Sequence, residues 1–582
     1  MPKIEVDEKL FFNLVGRTMD AAELEPALEF AKAELDGWDF GPAGSSAVGT
    51  AGRVIKIELN DTNRPDLWST AGIARLLRIR DKGVIPDYKF FSREGDVRQS
   101  DFRVVVDASI RELRPFLAGF VISGKAIDDA MLRDAIQTQE KLCSNYGRKR
   151  RSVSMGMYRI DMIKWPVSYK AVDPDSISFV PLQMEESLTL RRIVLEHPKG
   201  KEYGHIIADS PVYPILMDAD GGVLSMAPII NSASIGAVQV GDRDILVEFT
   251  GTDIAAVSLS ASIVACDFAD AGYEIRPLRV DYAYDTPFGR SVTFPYYFQT
   301  AASVDAGRVT KLLGDSIGPE KVVEALASMG VRAEAHGQHV KAWPPEYRDD
   351  FLHGVDLVED VMIGRGMASF APERPKDFTI GRLSPIELFT RKAKDVMVGL
   401  GYQEMIYNYL GSGKDYIERM NVSPEKVIRI SNPMTENFEY VRPSILPGLL
   451  QSEAVSSKAP YPHRIFEAGK VAFLDETQNY GTSTRQRLGL LCSHQEADYN
   501  ELAGVVSALL YYLGDDYAVD DSVDPRFLPG RQARILVRGM NVGCFGELHP
   551  AVLENWGISM PCVACEIDLD SLLKGDGAPH GS

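Results

Sequence analysis

The sequence predicts an α+β protein built from several domains. Its 582 residues are enough for roughly three to five domains, and a content of 45% hydrophobic and 25% charged residues is typical of globular chains. Strand-like alternation and short capped helices follow one another, and the strands of the last third are mostly joined without the long connections of parallel βαβ units. That spacing favours an antiparallel sheet with helices on one side.

Composition and charge limit the possible functions. No apolar run approaches the roughly 20 residues of a membrane span, and the N-terminus lacks the basic and apolar regions of a signal peptide, so we expect a cytoplasmic protein with no membrane partner. Six cysteines are too few for a disulfide framework, and we expect Cys562 and Cys565 to be core thiols. The formal net charge of −19 argues against indiscriminate nucleic-acid binding, so an RNA would be bound at a local basic patch.

The first predicted domain, residues 1–98, contains one dense motif. Residues 53–59 alternate like a half-buried strand, and residues 67–79 form an amphipathic helix. Between them, Asn63, Arg64 and Asp66 belong to a segment with turn chemistry. Asn63 and Asp66 act as turn and cap residues, or they position Arg64 for a partner; the residues leave both alternatives open.

The second predicted domain, residues 99–272, is rich in strand-like runs and holds the most basic stretch of the chain: Arg148, Lys149, Arg150 and Arg151. Such a run can bind the phosphates of a nucleic acid. The alternative interpretation is a solvent-exposed loop without a ligand. Around residues 228–232 and 248–253, isolated polar groups stand among apolar ones, as in a small pocket that selects a polar ligand. Strand-end turns explain these groups almost as well.

The third predicted domain, residues 273–346, is a small winged-helix-like α+β module. Val322, Leu326 and Met329 are the inward positions of a short helix that Gly330 ends, and a hairpin-like segment follows. A module of this kind suits docking and carries no visible chemistry.

An acidic segment begins the fourth predicted domain, residues 347–582. Asp356, Glu359 and Asp360 are spaced at i, i+3 and i+4 and share one helix face, and Asp350 comes from the preceding loop. Four hard oxygen donors suit Mg²⁺. Asp356 and Glu359 also fit an N-cap and capping box that needs no metal, and the spacing leaves both interpretations open.

The rest of this domain has strong local signals. Ser384 with Glu387, and Asp498 with Glu501, begin two capped helices, and several strand-like runs surround them. Residues 575–582 are expected to be a disordered tail without function.

Four motifs then occur in order: 432–435 (NPMT), 441–450 (VRPSILPGLL), 527–533 (FLPGRQA) and 546–550 (GELHP). Together with the acidic segment and residues 63–66 (NRPD), they resemble the beta subunit of the phenylalanyl-tRNA synthetase family over nearly the whole chain. The short N-terminus, residues 59–69 and the absence of a C-terminal anticodon-binding extension resemble the archaeal and eukaryotic form.

The resemblance implies an α2β2 enzyme that charges tRNA-Phe with phenylalanine, using ATP. In this family the alpha subunit binds ATP and phenylalanine and does the chemistry, and the beta core keeps a class II synthetase-like antiparallel sheet without that chemistry. This chain agrees in one respect, because Arg442 lacks the residues that usually accompany the ATP-binding arginine. The resemblance also assigns Mg²⁺ to Asp350, Asp356, Glu359 and Asp360.

The second domain is implied to hydrolyse mischarged Tyr-tRNA. The tyrosine-selecting positions correspond to Leu216, Ser225, Glu248 and Thr250, with Asn231 nearby. Glu248 stands where relatives often have Asp, and Tyr158 with Arg159 where they usually have His and Asp. The catalytic groups stay unknown; we expect a water nucleophile, and Arg148 to Arg151 as the tRNA contact. The alternatives are a free-standing aminoacyl-tRNA deacylase and a non-enzymatic RNA-binding scaffold.

Overall fold

The computed structural model describes residues 3–40, 53–60, 63–96, 100–377 and 379–573. The chain divides into two compact units, Met1–Glu373 and Arg374–Ser582. Helices and strands alternate through both units, so the predicted α+β multidomain fold is confirmed. The tail predicted for residues 575–582 lies outside the described residues.

The N-terminal module is a three-stranded antiparallel sheet, in the order β1-β3-β2, with helices against it. Its elements are β1 Lys3–Asp7, α1 Glu8–Val15, α2 Ala21–Leu28, β2 Ala33–Phe40, β3 Arg53–Leu59 and α3 Thr70–Lys82. Asp66 does not cap the turn: its carboxylate makes a buried bidentate ion pair with Arg64, with both N···O distances 2.8 Å. Because both side chains are 2% exposed, Arg64 does not point out toward a partner.

The second module is a ten-stranded sheet covered by helices. Its strands and helices are β4 Phe102–Val106, β5 Phe116–Ser123, α4 Asp129–Lys141, β6 Val153–Arg159, β7 Val167–Val172, β8 Ser178–Phe179, β9 Leu188–Thr189, α5 Leu190–Glu196, α6 Pro198–Tyr203, β10 Tyr213–Met217, β11 Val223–Met226, β12 Ile230–Asn231, β13 Ile245–Gly251, α7 Ile254–Asp270, β14 Glu274–Tyr282 and β15 Ser291–Phe294. The sheet order is β12-β11-β10-β7-β4-β14-β5-β13-β6, with β15 on β14 and with β8 and β9 paired separately.

This sheet shifts one predicted boundary. The limit at residue 272 would place β14 and β15 in the third domain, yet β14 pairs with β4 and β5 in the middle of the large sheet. Leu278, Val280 and Tyr282 of β14 supply buried side chains to that sheet. The docking module therefore begins after β15.

The third module also differs from its predicted end. It consists of β16 Ala302–Asp305, α8 Ala306–Leu313, α9 Pro319–Ser328, β17 Arg332–His336, β18 His339–Trp343 and α10 Gly354–Arg365. The acidic helix α10 packs on α8, α9 and β16, and its Leu357 and Val361 are fully buried in the core of this unit. The acidic segment therefore closes the first unit and does not begin the last domain.

The second unit is built on a seven-stranded sheet in the order β19-β22-β23-β27-β26-β25-β24. Its elements are α11 Pro385–Gly399, β19 Gln403–Glu404, β20 Leu410–Gly411, β21 Tyr440–Val441, α12 Leu446–Val455, β22 His463–Leu474, β23 Thr482–Ser493, α13 Tyr499–Leu513, β24 Tyr517–Asp521, β25 Phe527–Val537, β26 Met540–Leu548, α14 Pro550–Trp556, β27 Cys562–Asp568 and α15 Leu569–Leu573. Every pairing is antiparallel except β19 with β22.

Helices cover both faces of this sheet, so the prediction of helices on one side was wrong. Helices α11, α13 and α15 share one core with alternate strand residues, and α12 and α14 share a second core with the others. The alternation in β27 shows the reason, because Val563 and Cys565 enter the first core while Cys562 and Ala564 enter the second. Cys562 and Cys565 are buried and free, as predicted.

Among the described residues, no helix combines the length and the apolar character that crossing a membrane requires.

Candidate functional site

A cavity of about 470 Å³ lies in the second module, between β6, β11, β12 and β13. Strand β13 is buried along its whole length, and its side chains alternate between two faces. A Cβ added at Gly251 would contact Val257 of α7, so the even-numbered residues Glu248 and Thr250 lie on the face away from that helix. An otherwise apolar strand thus presents two polar side chains toward the cavity side.

Three of the five predicted pocket residues line this cavity: Ser225, Asn231 and Glu248. Leu216 and Thr250 lie behind them. Leu216 is fully buried on β10, opposite Ser225 in the strand register. Thr250 is also fully buried, two residues beyond Glu248, and its hydroxyl lies 2.9 Å from that of Ser154.

The central side chain of the pocket is Tyr158 of β6, which the sequence marked only as a departure from relatives and did not assign to the pocket. Its hydroxyl lies 2.8 Å from Glu248 Oε2 and 2.9 Å from Ser225 Oγ, and it is 1% exposed. Strands β6 and β11 stand near opposite ends of the sheet order. The contact between Tyr158 and Ser225 therefore means that the sheet curls until its two ends meet around the cavity.

Glu248 is the one acidic side chain of this cavity wall among the described residues. Burial raises the pKa of its carboxyl from 4.5 to about 7, against the opposing effects of Tyr158, Arg114 and Thr250. Oε2 accepts from Tyr158, whereas Oε1 is buried with no hydrogen-bond partner in the described part of the chain. Because an unpaired buried acceptor is costly, Oε1 is suited to receive a hydroxyl or amide hydrogen from a bound molecule.

A second residue missed from the sequence, Arg114, links the pocket to the basic run. Its guanidinium donates to Thr250 O at 2.6 Å and to Ser154 Oγ at 2.9 Å. It also donates to the carbonyls of Arg150 and Arg151, at 3.1 and 3.0 Å. An isolated arginine carries no local motif, and its partners stand up to 136 residues away, so no signal in the sequence marked it.

The basic run forms a turn with three consecutive left-handed residues. The φ angles of Arg148, Lys149 and Arg150 are 51°, 54° and 66°, a conformation that costs roughly 1–2 kcal/mol for each non-glycine residue. Hydrogen bonds from the backbone N–H groups of Lys149 and Arg150 to Ser144 O and Cys143 O, together with Arg114, hold the turn. Strain of this kind is typical of functional positions.

This turn divides the four basic side chains between two places. Arg150 lines the cavity and donates to the carbonyls of Pro228 and Ile229, at 3.1 and 3.0 Å. Arg148, Lys149 and Arg151 are exposed and line a separate open groove of about 1190 Å³. The four residues therefore do not act as one patch, and three of them remain available to a ligand in the groove.

The four carboxylates predicted to bind a metal each have a protein partner. Arg348 donates to Asp350 at 2.7 and 2.9 Å and to Asp360 at 2.6 and 3.2 Å. Asp356 accepts from the backbone N–H of His353 at 2.6 Å, and Glu359 pairs with Lys32 at 2.7 Å. Burial would raise the pKa of Asp350, but the ion pair with Arg348 outweighs burial and lowers it to about 2.

As placed here, these residues do not fit a preformed magnesium site. A guanidinium between Asp350 and Asp360 repels a cation that would bind the same oxygens. The alternative interpretation, that these acidic residues cap a helix, is supported in a modified form. Helix α10 begins at Gly354, its N-cap is His353, and Asp356 occupies the third helical position. The predicted pairing of Asp356 with Glu359 in a capping box is therefore wrong.

The second unit has its own cavity, of about 810 Å³, on the α12 side of the seven-stranded sheet. Three arginines line it, and each has an acidic partner. Arg526 pairs with Asp524 at 2.7 Å and with Glu566 at 3.1 Å, Arg487 pairs with Glu566 at 3.3 Å, and Arg534 pairs with Asp520 at 2.7 Å. Arg442 is buried nearby and paired with Glu467 at 2.8 Å. These charges are neutralised within the protein.

Comparison with known proteins agrees with this division. A family model described as the phenylalanyl tRNA synthetase beta chain CLM domain matches residues 373–569, which is most of the second unit. A model described as the tRNA synthetase B5 domain matches residues 302–367, which is the small module with its acidic helix. These two matches define the class of the protein as a tRNA synthetase chain.

Relatives along the whole chain define it further. The phenylalanine–tRNA ligase beta subunit of Treponema pallidum subsp. pallidum is 47% identical over an alignment of 603 positions, which covers 98% of this chain and 100% of that protein. That of Borrelia garinii subsp. bavariensis is 46% identical over 577 residues, or 99% of this chain and 100% of its own length. The chain therefore belongs to the phenylalanine–tRNA ligase beta-subunit family.

Among solved structures, an N-terminal fragment of the phenylalanyl-tRNA synthetase beta subunit from Pyrococcus horikoshii is 33% identical with a TM-score of 0.57. The matched region covers 63% of this chain and 100% of the fragment.

Proposed function

We propose that the chain is the beta subunit of a phenylalanine–tRNA ligase with α2β2 composition. The enzyme joins L-phenylalanine to tRNA-Phe with ATP and releases AMP and diphosphate. The observation that carries this proposal is the 46–47% identity to two beta subunits of that name over 98–99% of the chain. Co-expression with the alpha subunit tests it: we expect a stable complex of two copies of each chain, and failure to assemble contradicts the proposal.

The division of labour follows from the arginines of the second unit. ATP phosphates are bound by cations with free hydrogen-bond donors. Arg487, Arg526 and Arg534 are instead engaged by the protein's own carboxylates. Arg442 is paired with Glu467, and its Nη2, which has no partner among the described residues, is buried away from solvent. We assign ATP and phenylalanine binding to the alpha subunit, and to this class II-like unit a structural role.

The second unit also exposes large apolar side chains that an alpha subunit would bury. The apolar side chains of this unit that are more than half exposed include Ile406, Met434, Val455, Tyr480, Tyr511 and Val523. Obligate interfaces are large and apolar, often more than about 2,000 Å², so we assign the alpha-subunit contact to this unit. Burial of these side chains in the complex, measured by hydrogen exchange or labelling, tests the assignment.

The pocket of the second module supports a further activity, hydrolysis of Tyr-tRNA made in error. A synthetic site for phenylalanine gains only about 100-fold by excluding one added hydroxyl, so a second site that binds the hydroxyl is needed for higher accuracy. The cavity has the volume of a small-molecule pocket, and the unpaired Glu248 Oε1 is an acceptor for a phenol. Glu248 selects the substrate in this proposal, and water is the nucleophile.

The tRNA contact is assigned to the exposed part of the basic turn. Arg148, Lys149 and Arg151 line the open groove, while Arg150 joins the groove to the pocket through its bonds to Pro228 and Ile229. A tRNA backbone in the groove would then place its aminoacylated end near the cavity. An enzyme that charges tRNA for the ribosome works in the cytoplasm, which is the location we propose.

Mg²⁺ is proposed as the cofactor of the assembled ligase, and no step of this chain depends on it. Asp350, Asp356, Glu359 and Asp360 are retained as the candidate ligands from the family resemblance, although Arg348 and Lys32 now hold three of them. Melting of the complex with and without Mg²⁺ separates the two accounts. If the double variant Asp356→Ala, Glu359→Ala abolishes a magnesium-dependent rise in melting temperature, the metal binds there; an unchanged rise supports the ion-pair account.

The archaeal and eukaryotic form is also proposed. This proposal rests on the sequence motifs, whereas the relatives from Treponema and Borrelia are bacterial. A second candidate function, a free-standing aminoacyl-tRNA deacylase, is favoured by the location of pocket and groove within the first unit. Efficient hydrolysis of Tyr-tRNA by the purified chain without its partner would support that candidate.

A further inference from the structure

We propose that Tyr158 is a positioning residue that makes this pocket prefer a ligand with a phenolic hydroxyl. The inference rests on the proposed hydrolysis of Tyr-tRNA, and it concerns how the pocket separates tyrosine from phenylalanine. Tyr158 does not touch the bond to be hydrolysed; it acts through Glu248.

The position of the Tyr158 side chain is determined by a glycine two residues earlier. Gly156 stands opposite Glu248 in the pairing of β6 with β13. A Cβ at residue 156 would clash with the Tyr158 hydroxyl and would lie 2.8 Å from Glu248 Oε2. The contact between Tyr158 and Glu248 therefore depends on the missing side chain at Gly156.

The hydrogen bonds of Tyr158 assign different roles to the two carboxylate oxygens. The phenol has one proton but lies within hydrogen-bond distance of both Ser225 Oγ and Glu248 Oε2. The carboxylate is the stronger acceptor, so the phenol donates to Oε2 and the Ser225 hydroxyl supplies the proton of the other bond. Oε2 is thereby occupied, and Oε1, which has no partner among the described residues, is left as the acceptor.

A ligand's hydroxyl would complete this arrangement. Tyrosine donates its phenolic proton to Oε1, whereas phenylalanine leaves that buried oxygen unpaired, which costs free energy. Without the Tyr158 hydroxyl, Oε2 would also lose its donor. The carboxyl group would then have no fixed orientation, and a ligand's hydroxyl would meet a less defined acceptor.

Protonation of Glu248 gives an independent readout. Burial raises its pKa to about 7, and the hydrogen bond from Tyr158 and the charge of Arg114 act in the opposite direction. Tyr169 and Cys143 also interact electrostatically with this carboxyl. Loss of the Tyr158 hydroxyl removes a donor to the ionised form, so the pKa of Glu248 rises further.

The test uses the assembled enzyme with the variant Tyr158→Phe. Rates of hydrolysis of pre-formed Tyr-tRNA and Phe-tRNA are measured across the neutral pH range. The ratio of the two rates should fall by roughly tenfold, the value of one hydrogen bond to a charged group, and the midpoint of the pH profile for Tyr-tRNA should move upward. Tyr273→Phe is the matched control, because that tyrosine is buried in the same module and its hydroxyl lies 3.5 Å from Ala126 O.

A second variant, Gly156→Ala, displaces the Tyr158 hydroxyl without removing it and should reproduce both effects. An unchanged ratio and an unchanged midpoint in Tyr158→Phe overturn the inference. If the parent enzyme does not hydrolyse Tyr-tRNA, the proposed function fails by itself. Calorimetry with tyrosinol and phenylalaninol then decides the role of Tyr158: equal preference for tyrosinol in parent and Tyr158→Phe overturns it, and a loss of about tenfold in the variant supports it.

Discussion

At the scale of single residues, one buried carboxyl organises the pocket. Glu248 is 3% exposed, with one oxygen bound to Tyr158 and the other without a partner among the described residues. A buried carboxyl group that begins to ionise only as the pH approaches neutrality is typical of a functional site. Its charge state should therefore control which ligands the pocket accepts.

The variant Glu248→Gln tests this directly. Hydrolysis of pre-formed Tyr-tRNA by the assembled enzyme should slow by roughly tenfold or more, because a hydrogen bond to a charged acceptor is lost. In the parent, the rate should rise with pH through about 7, as the carboxyl loses its proton, and this rise should be absent in the variant. Phe-tRNA synthesis should be nearly unchanged; equal hydrolysis by variant and parent would remove Glu248 from the mechanism.

The same residues show what the sequence could predict about the site. Ser225, Asn231 and Glu248 were assigned through the family resemblance, and the structure places all three on one cavity. Tyr158 and Arg114 were not assigned to the site because their roles depend on partners 36 to 136 residues away. No local pattern encodes the curling of a sheet that brings β6 and β11 together.

At the scale of single elements, the acidic segment and the basic turn are both held by an arginine. Arg348 is 2% exposed and joins the loop residue Asp350 to Asp360 of α10. Arg114 holds the left-handed turn through two of its carbonyls. The structure brings together only two of the four predicted carboxylates, Asp350 and Asp360, and the spacing in the sequence could not show that the buried Arg348 pairs with both.

Replacing Arg348 should therefore destabilise the first unit. In Arg348→Met, two buried carboxylates lose their partner, and the free energy of unfolding should fall by about 3–5 kcal/mol, measured by urea denaturation of the full chain near pH 7. Arg308→Met, at an exposed position on α8, is the control and should cost little.

The pH dependence of stability has a defined sign for this pair. In the parent, the pKa of Asp350 is lowered from 3.8 to about 2, so its contribution is fully present above pH 3.8 and is lost as the pH falls toward 2. Without Arg348, burial dominates and that contribution disappears. A variant as stable as the parent at neutral pH would contradict the ion-pair account.

The basic turn should be tested by tRNA binding. Replacing Arg148, Lys149 and Arg151 one at a time by alanine should weaken binding of tRNA to the assembled enzyme. Each replacement should also reduce the salt slope of the binding constant by about one, because one fewer phosphate is neutralised by the protein. Arg111→Ala changes an exposed arginine of the same module and should have little effect. Unchanged affinity and slope in all three variants would assign the tRNA-binding surface elsewhere.

At the scale of the whole molecule, the chain combines a first unit that carries the Glu248 pocket with a second unit in which the three cavity-lining arginines are paired with carboxylates. The α+β class and the antiparallel strands of the last third were predictable from alternation and from short connections. The helices on both faces were not, because residues 446–455 and 550–556 are short and carry weak periodic signals. The end of the first unit was placed too early for a related reason: only packing shows that α10 belongs to the small module.

The central claim is that this chain is the half of the ligase that does not perform synthesis. The most direct measurement is incorporation of labelled phenylalanine into tRNA by the purified chain alone, by the alpha subunit alone, and by the two mixed in equal amounts. We expect no charging by this chain alone and full charging only by the mixture, since Arg487, Arg526 and Arg534 are already paired. Robust, ATP-dependent charging by this chain alone would contradict the account.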